Sequence, residues 1–379
     1  MASAVILGML VTMFPEPGEQ ATAIGVFSFV ASAGASIGVL AGGVITQVIN
    51  WHWIFFVNLP IGIATALLAV TLVRRDLRIG IRQGAGVLGA MLVTGALVLG
   101  VFGIVKAQSY GWGSAHTLAL GGVAIGLLAA FLAWERRTAN PMLPLRIFRS
   151  RNVSGANLVQ MLFVAGMFGI FFLGSLYMPR VLGYSALQIG LAFLPVAALI
   201  GAFSLGVAPR LIVRFGTRAT LVPGLALTAA GLALFTGAPI RADYAGDVLP
   251  SMVLIGLGAG LSFPVLMTAA MSSAEPTGAG ILSGLVNTTQ QVGGALGLAV
   301  LATLATTHPN SLLHTGKSTA TALTDGHHLA SAIGTGLLIA AIVVAATVLR
   351  LVAIPAAPAE VEAEVEDNLA TEPAYSESL

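Results

Sequence analysis

Long apolar runs, separated by short polar or arginine-rich segments, repeat along the whole chain. They cover residues 1–14, 21–48, 51–73, 84–106, 116–134, 155–179, 187–208, 219–239, 246–271, 278–305 and 329–353. A helix rises about 1.5 Å per residue, so about 20 apolar residues cross the roughly 30 Å hydrocarbon core of a bilayer. Ten runs reach that length, and each predicts a transmembrane helix. The first run is too short, covering only about two thirds of the core. Nor does it open with positive charge as a signal peptide does, because the first basic residue is Arg74. It reads as the second half of a membrane helix. The expected fold is an all-α polytopic membrane protein of ten full helices plus an N-terminal half helix.

Composition agrees with this pattern. Hydrophobic residues make up 57% of the 379 and charged residues only 8%, against about 25% charged in soluble domains. The absence of cysteine excludes disulfides and thiolate metal sites. The net charge of +2 hides an acidic end: Glu360, Glu362, Glu364, Glu366, Asp367, Glu372 and Glu377 are seven of the fifteen acids. Basic residues lie between the spans, where membrane orientation explains them and nucleic acid is not needed. Arg74, Arg75, Arg78, Arg82, Arg136, Arg137, Arg146, Arg149, Arg151, Arg210, Arg214, Arg218 and Arg350 fall on one side of the alternating topology. Lys106, Arg180, Arg241 and Lys317 fall on the other. The bias predicts that the arginine-rich connections and the C-terminus are cytoplasmic, in a multi-pass plasma-membrane protein. Residues 354–379 are Pro-, Ala- and Glu-rich and read as a disordered tail.

The outer connection 306–328, THPNSLLHTGKSTATALTDGHH, holds His308, His314, His327 and His328 beside Asp325. Imidazole and carboxylate can bind zinc or copper, but the spacing fits no tight ligand pattern, and the expectation is a polar surface loop. No phosphate-binding glycine loop or Asp-rich motif is present, and the middles of the spans hold no acid or histidine. An enzyme, a cofactor site and a metal site are therefore not expected.

Two neighbouring stretches stand out. In GASIGVLAGG, Gly34, Gly38 and Gly42 recur every four residues on one helix face, with Gly43 beside them. Such a stripe lets another backbone approach closely, as ordinary helix packing also does. It is followed by NWHWIFFVNLPIG, with Trp51, Trp53, Asn58 and Pro60. Amphipathic rings at a helix end anchor it in the membrane interface, while Asn58 lies deeper and calls for a polar partner. The pair resembles the antiporter signature of the major facilitator superfamily, in its fourteen-helix drug:proton antiporter (EmrB/QacA-like) branch. Val39 stands where that signature has proline, and without that ring the helix keeps its local backbone hydrogen bond. PMLPLRIFRSR (141–151) is similar to the branch's connector after its eighth helix, and residues 278–305 to its penultimate helix.

The resemblance implies a partial major-facilitator fold that lacks the first three and a half helices. It divides the chain into a remnant of the N-terminal bundle (1–73), a central helix pair with its connectors (74–152), a C-terminal six-helix bundle (153–353) and the tail (354–379). It also implies secondary-active efflux of lipophilic drugs or natural products, with protons as the coupling ion. The alternative is a non-transporting membrane remnant or a partner-dependent scaffold. Candidate pathway residues come from polar positions inside spans, which are costly in lipid and tend to face protein or water. Asn157 and Gln160 share a face of one helix, with Met161 and Phe168 as an adaptable apolar wall. Asn287, Gln290 and Gln291 fall with Ser283 and Gly294 on one stripe of another. These amides can hydrogen-bond a substrate or join helices.

Overall fold

The computed structural model describes residues 6, 8–10, 13, 14, 16–72, 86–138, 141, 143–181, 183–237, 243–272, 279–314 and 319–349, and its described elements are all helical. In chain order they are α1 Pro17–Val48, α2 Trp53–Phe56, α3 Asn58–Leu72, α4 Val87–Tyr110 and α5 Ala115–Arg137. A 3-10 turn, Leu145–Arg149, leads into α6 Arg151–Val181. Then come α7 Ala186–Ala202, a π-turn Phe203–Val207, α8 Ala208–Phe215 and α9 Thr217–Thr236. A second π-turn, Tyr244–Val248, precedes α10 Leu249–Met271, followed by α11 Ala279–His314 and α12 Thr319–Val348. Seven described stretches are long and apolar enough to cross a membrane by length and composition. Helices α1, α6 and α11, of 32, 31 and 36 residues, also have the length. The arginines of 74–82 and the acidic tail lie outside the described residues.

Helix ends follow local chemistry. Ser185 and Gln188 form a reciprocal capping box at α7. Before α10, the Gly246 N–H donates to Asp243 Oδ2 at 3.0 Å, and the Asp243 N–H donates to Asp247 Oδ2 at 2.8 Å. Both carboxylates thus serve orphan backbone donors of a helix start. At φ 82°, ψ 170°, Gly216 separates α8 from α9 with a backbone that side-chain-bearing residues rarely adopt.

The buried core lies among α6 to α12, joined by Ile24 of α1. Lipid tails are as apolar as the helices, so close packing must hold these spans together. Helix α10 is the clearest case. A Cβ on Gly256 would lie 2.8 Å from Leu199 Cβ of α7, and one on Gly260 would lie 2.8 Å from Phe203 Cβ. On its opposite side, Gly258 meets the backbone of α9 at Gly224 and Thr228. The Ser204 hydroxyl donates to the Gly260 carbonyl at 3.0 Å, and the Tyr244 hydroxyl to the Ala192 carbonyl at 2.9 Å. Two polar ties therefore brace the glycine-lined seam.

Helix α1 packs along α7, but not through the predicted stripe. A Cβ on Gly25 would come 2.8 Å from the Ser204 carbonyl, and one on Gly43 would come 2.8 Å from the Ala186 carbonyl. Between them, the Phe29 ring covers Gly201. At about 100° per residue these three positions share a face roughly opposite Gly34, Gly38 and Gly42. A Cβ on Gly34 or Gly38 would have no described atom within 4 Å, and one on Gly42 would meet only Ile54 Cδ1 at 3.9 Å. A four-residue glycine repeat marks a face where approach is possible; here the close approach is made on the other face. With Val39 in place of proline, α1 runs as one helix from Pro17 to Val48.

One further expectation needs correction. The described parts of the histidine-containing connection are helical and not loop: α11 continues to His314 and α12 starts at Thr319, while 315–318 lie outside the described residues. Ala, Leu, Thr and His are all compatible with a helix that runs on past the bilayer, and polarity does not stop one. The polar partner expected for Asn58, which is exposed on α3, is the preceding helical turn: its Nδ2 donates to the Ile54 carbonyl at 2.9 Å. Trp51, Trp53 and Pro60 are also exposed, as are all the side chains described on α3.

Helices α4 and α5 form a hairpin, and α4 also touches α11. At the hairpin's arginine-bearing end Glu135 is 4% exposed. Its Oε2 accepts the Leu143 N–H at 2.8 Å, which ties the connector back to α5.

Candidate functional site

Asn157 of α6 and Thr289 of α11 meet at the seam between those helices, with α10 beside it. Helix α11 can lie close to α6 because of two glycines a turn apart. A Cβ on Gly293 would come 2.7 Å from the Met161 carbonyl, and Gly297 lies against the Ala165 backbone. Close approach brings short polar side chains within hydrogen-bonding range. Asn157, 5% exposed, accepts a 2.9 Å hydrogen bond at Oδ1 from the Thr289 hydroxyl. Its Nδ2 donates to the Val153 carbonyl at 2.8 Å. The Thr289 hydroxyl also lies 2.8 Å from the Leu285 carbonyl. A hydroxyl has one proton, so Asn157 and the α11 backbone share it.

Gln160 stands one turn further along α6 and is fully buried. Neither its Oε1 nor its Nε2 has a hydrogen-bond partner among the described residues. An unmet buried amide costs about 1–3 kcal/mol, which makes Gln160 the least satisfied side chain at the seam. Nearby, Phe163 of α6 meets Phe263 of α10 edge-to-face, with ring centroids 5.1 Å apart. Phe168 is 43% exposed and lays its ring over Gly294 of α11. Met161 is half-buried.

The α11 stripe is divided. Ser283 and Gly294 are buried, Asn287 and Gln290 half-buried, and Gln291 exposed. The face that meets α6 holds Thr289, Gly293 and Gly297, roughly a quarter turn from the centre of the amide stripe. The structure therefore joins Asn157, Met161 and Phe168 to α11, but through residues other than the three predicted amides. Asn287 bonds its own helix, from Nδ2 to the Ser283 carbonyl at 3.3 Å. Gly293 and Gly297, four residues apart in the sequence, were the available signal for the true contact face. Thr289 gave none, since a threonine in a span usually bonds its own helix.

Three of the described acids are engaged elsewhere: Asp243 and Asp247 cap a helix, and Glu135 holds the connector. No group of His, Asp and Glu suited to a metal occurs among the described residues.

Spanning-length apolar helices packed through glycine seams, with amides at their centre, define a multi-pass α-helical membrane protein. The Major Facilitator Superfamily profile matches residues 1–298, and the chain belongs to that superfamily of transporters. It is 38% identical over 304 residues to the puromycin resistance protein pur8 of Streptomyces alboniger, covering 79% of this chain and 60% of the relative. It is 36% identical over 298 residues to the cephamycin export protein CmcT of Amycolatopsis lactamdurans, covering 78% and 61%. It is 35% identical over 304 residues to the tetracenomycin C resistance and export protein of Streptomyces glaucescens, covering 79% and 55%. The chain thus spans between 55% and 61% of the length of these relatives.

Proposed function

We propose that this chain serves secondary-active efflux of lipophilic drugs or natural products, coupled to protons, as in the fourteen-helix branch. The observation that carries the reading is Gln160. A buried amide with neither atom satisfied is destabilising unless another state or a ligand completes it. Here it lies beside the shared Asn157–Thr289 proton and near Met161 and the half-exposed Phe168, a setting suited to varied apolar ligands with few polar groups. The named functions of the relatives, resistance and export, support the same reading.

In this proposal Asn157, Gln160, Met161 and Phe168 line the substrate path, and Asn287, Gln290 and Gln291 face it when α11 turns relative to α6. Gly34, Gly38, Gly42 and Gly43 belong to the antiporter helix, its open face being free to slide during alternating access. The C-terminus and the arginine-rich connections are cytoplasmic. Residues 1–73, 74–152 and 153–353 act as a portion of the N-terminal bundle, the central pair and the C-terminal bundle, with 354–379 as a tail.

The test is expression of the 379-residue chain in a pump-deficient cell, following retention of ethidium with and without a protonophore. Export reads as reduced retention that the protonophore reverses. Retention equal to the empty vector, with the protein inserted in the membrane, overturns autonomous efflux.

A further inference from the structure

Where α5 and α6 are joined, five arginines lie within sixteen residues: Arg136, Arg137, Arg146, Arg149 and Arg151. Glu135 is the single acid of the segment 135–152, and its carboxylate is buried and occupied by the Leu143 N–H. It does not neutralise the guanidinium groups. Arg149 and Arg151 are exposed, and among the described residues neither has an ion-pair partner. Together with Ser150 and Asn152 they line an open cavity of about 330 Å³.

The setting of that cavity narrows the ligand. The 3-10 turn Leu145–Arg149 rests on the bundle through Ile147, which packs against the buried core. Phe148, next to it, is 42% exposed. An apolar ring and two cationic forks are thus presented together at the junction of two membrane-crossing helices. Guanidinium groups match phosphate oxygens in paired hydrogen bonds, with a geometry that lysine lacks. Basic pockets at this depth meet lipid headgroups first, because the leaflet surface holds them at high local concentration.

We propose that Arg149 and Arg151 form a binding site for the phosphate of an anionic phospholipid, with Phe148 against the start of its acyl chains. A lipid held there clamps the connector to the first turn of α6. The site is separate from the α6–α11 seam, and the assignment does not depend on what the chain transports.

The full chain, purified and delipidated in detergent, is titrated with phosphatidylglycerol or phosphatidylcholine and followed by native mass spectrometry. Phosphatidylglycerol is expected to bind in preference to phosphatidylcholine. In R149Q/R151Q its affinity falls by roughly thirtyfold, since each surface cation contributes about a fivefold factor. The control R214Q/R218Q, which removes one arginine of α8 and one of α9, keeps the parent affinity. R149K/R151K retains the charge and gives an intermediate loss, and Phe148→Ser weakens the lipid without creating affinity for inorganic phosphate. These two variants carry the test if R149Q/R151Q does not yield folded protein. Unchanged phosphatidylglycerol affinity in R149Q/R151Q overturns the site, as does an equal loss in the control. Complete displacement of the lipid by an equal concentration of inorganic phosphate assigns a soluble anion instead and overturns the lipid reading.

Discussion

The Thr289 hydroxyl reaches Asn157 Oδ1 at 2.9 Å across the seam between α6 and α11. This is a side-chain hydrogen bond between residues of two helices, 132 positions apart in sequence, and it exists because Gly293 lets the α11 backbone approach Met161. Bonds of this kind in membranes contribute about 0.6 kcal/mol on average and rarely more than about 1.7. A double-mutant cycle on Asn157→Leu and Thr289→Val, read by unfolding in detergent, should give a coupling within that range. Strict additivity of the two changes would mean that the contact adds nothing to stability.

Gln160 should behave in the opposite way. Replacing it by Leu removes an unmet buried amide, so the variant should gain about 1–3 kcal/mol of stability. Under the proposed function it should also lose at least severalfold in ethidium export. Stability is measured by thermal unfolding and export by dye retention. A Gln160→Leu protein that exports like its parent removes the amide from the substrate path.

The two faces of α1 predict unequal tolerance of side chains. Gly43→Ala brings a methyl to 2.8 Å from the Ala186 carbonyl, an overpacking that typically costs about 1–3 kcal/mol. Gly38→Ala meets no described atom within 4 Å and should be neutral, or stabilising by up to about 1 kcal/mol from helix propensity. Unfolding midpoints of the two variants give the comparison; equal destabilisation would contradict the observed packing.

At the central pair, a Cβ on Gly89 would lie 2.8 Å from Glu135 Oε1. Gly89→Ala should therefore push the carboxylate off the Leu143 N–H and loosen the connector. Faster trypsin cleavage at Arg146 and Arg149 is the expected signature. Glu135→Ala alone should produce the same effect, since it too removes the acceptor. Combining the two should be no worse than Glu135→Ala by itself, because the clash has gone. An additive rise in cleavage would rule out the shared mechanism.

Much of this protein was legible in its pattern of apolar runs. Ten helices of spanning length follow from run length alone, because a bilayer leaves a backbone few choices but to bond within its own helix. Capping chemistry such as Ser185 with Gln188 is equally local, and so is the membership suggested by Trp51, Trp53, Asn58 and Pro60. The polar connection 306–328 misled because polarity separates water from lipid, not helix from loop.

What the sequence by itself determined is which segments cross the membrane and which positions are small or polar. Only the tertiary structure decided which of those positions meet. Periodicity places Gly34 and Gly38 on one face of α1, but the rotation of that helix against α7 is set by Gly25, Phe29 and Gly43. It places Asn287, Gln290 and Gln291 on one stripe of α11, yet Gly293 and Gly297 turn a neighbouring face toward α6. In lipid no solvent contrast between water and core orients a helix about its axis, so the fit of small residues against a neighbouring backbone decides. That fit joins residues far apart in sequence, and no local pattern contains it.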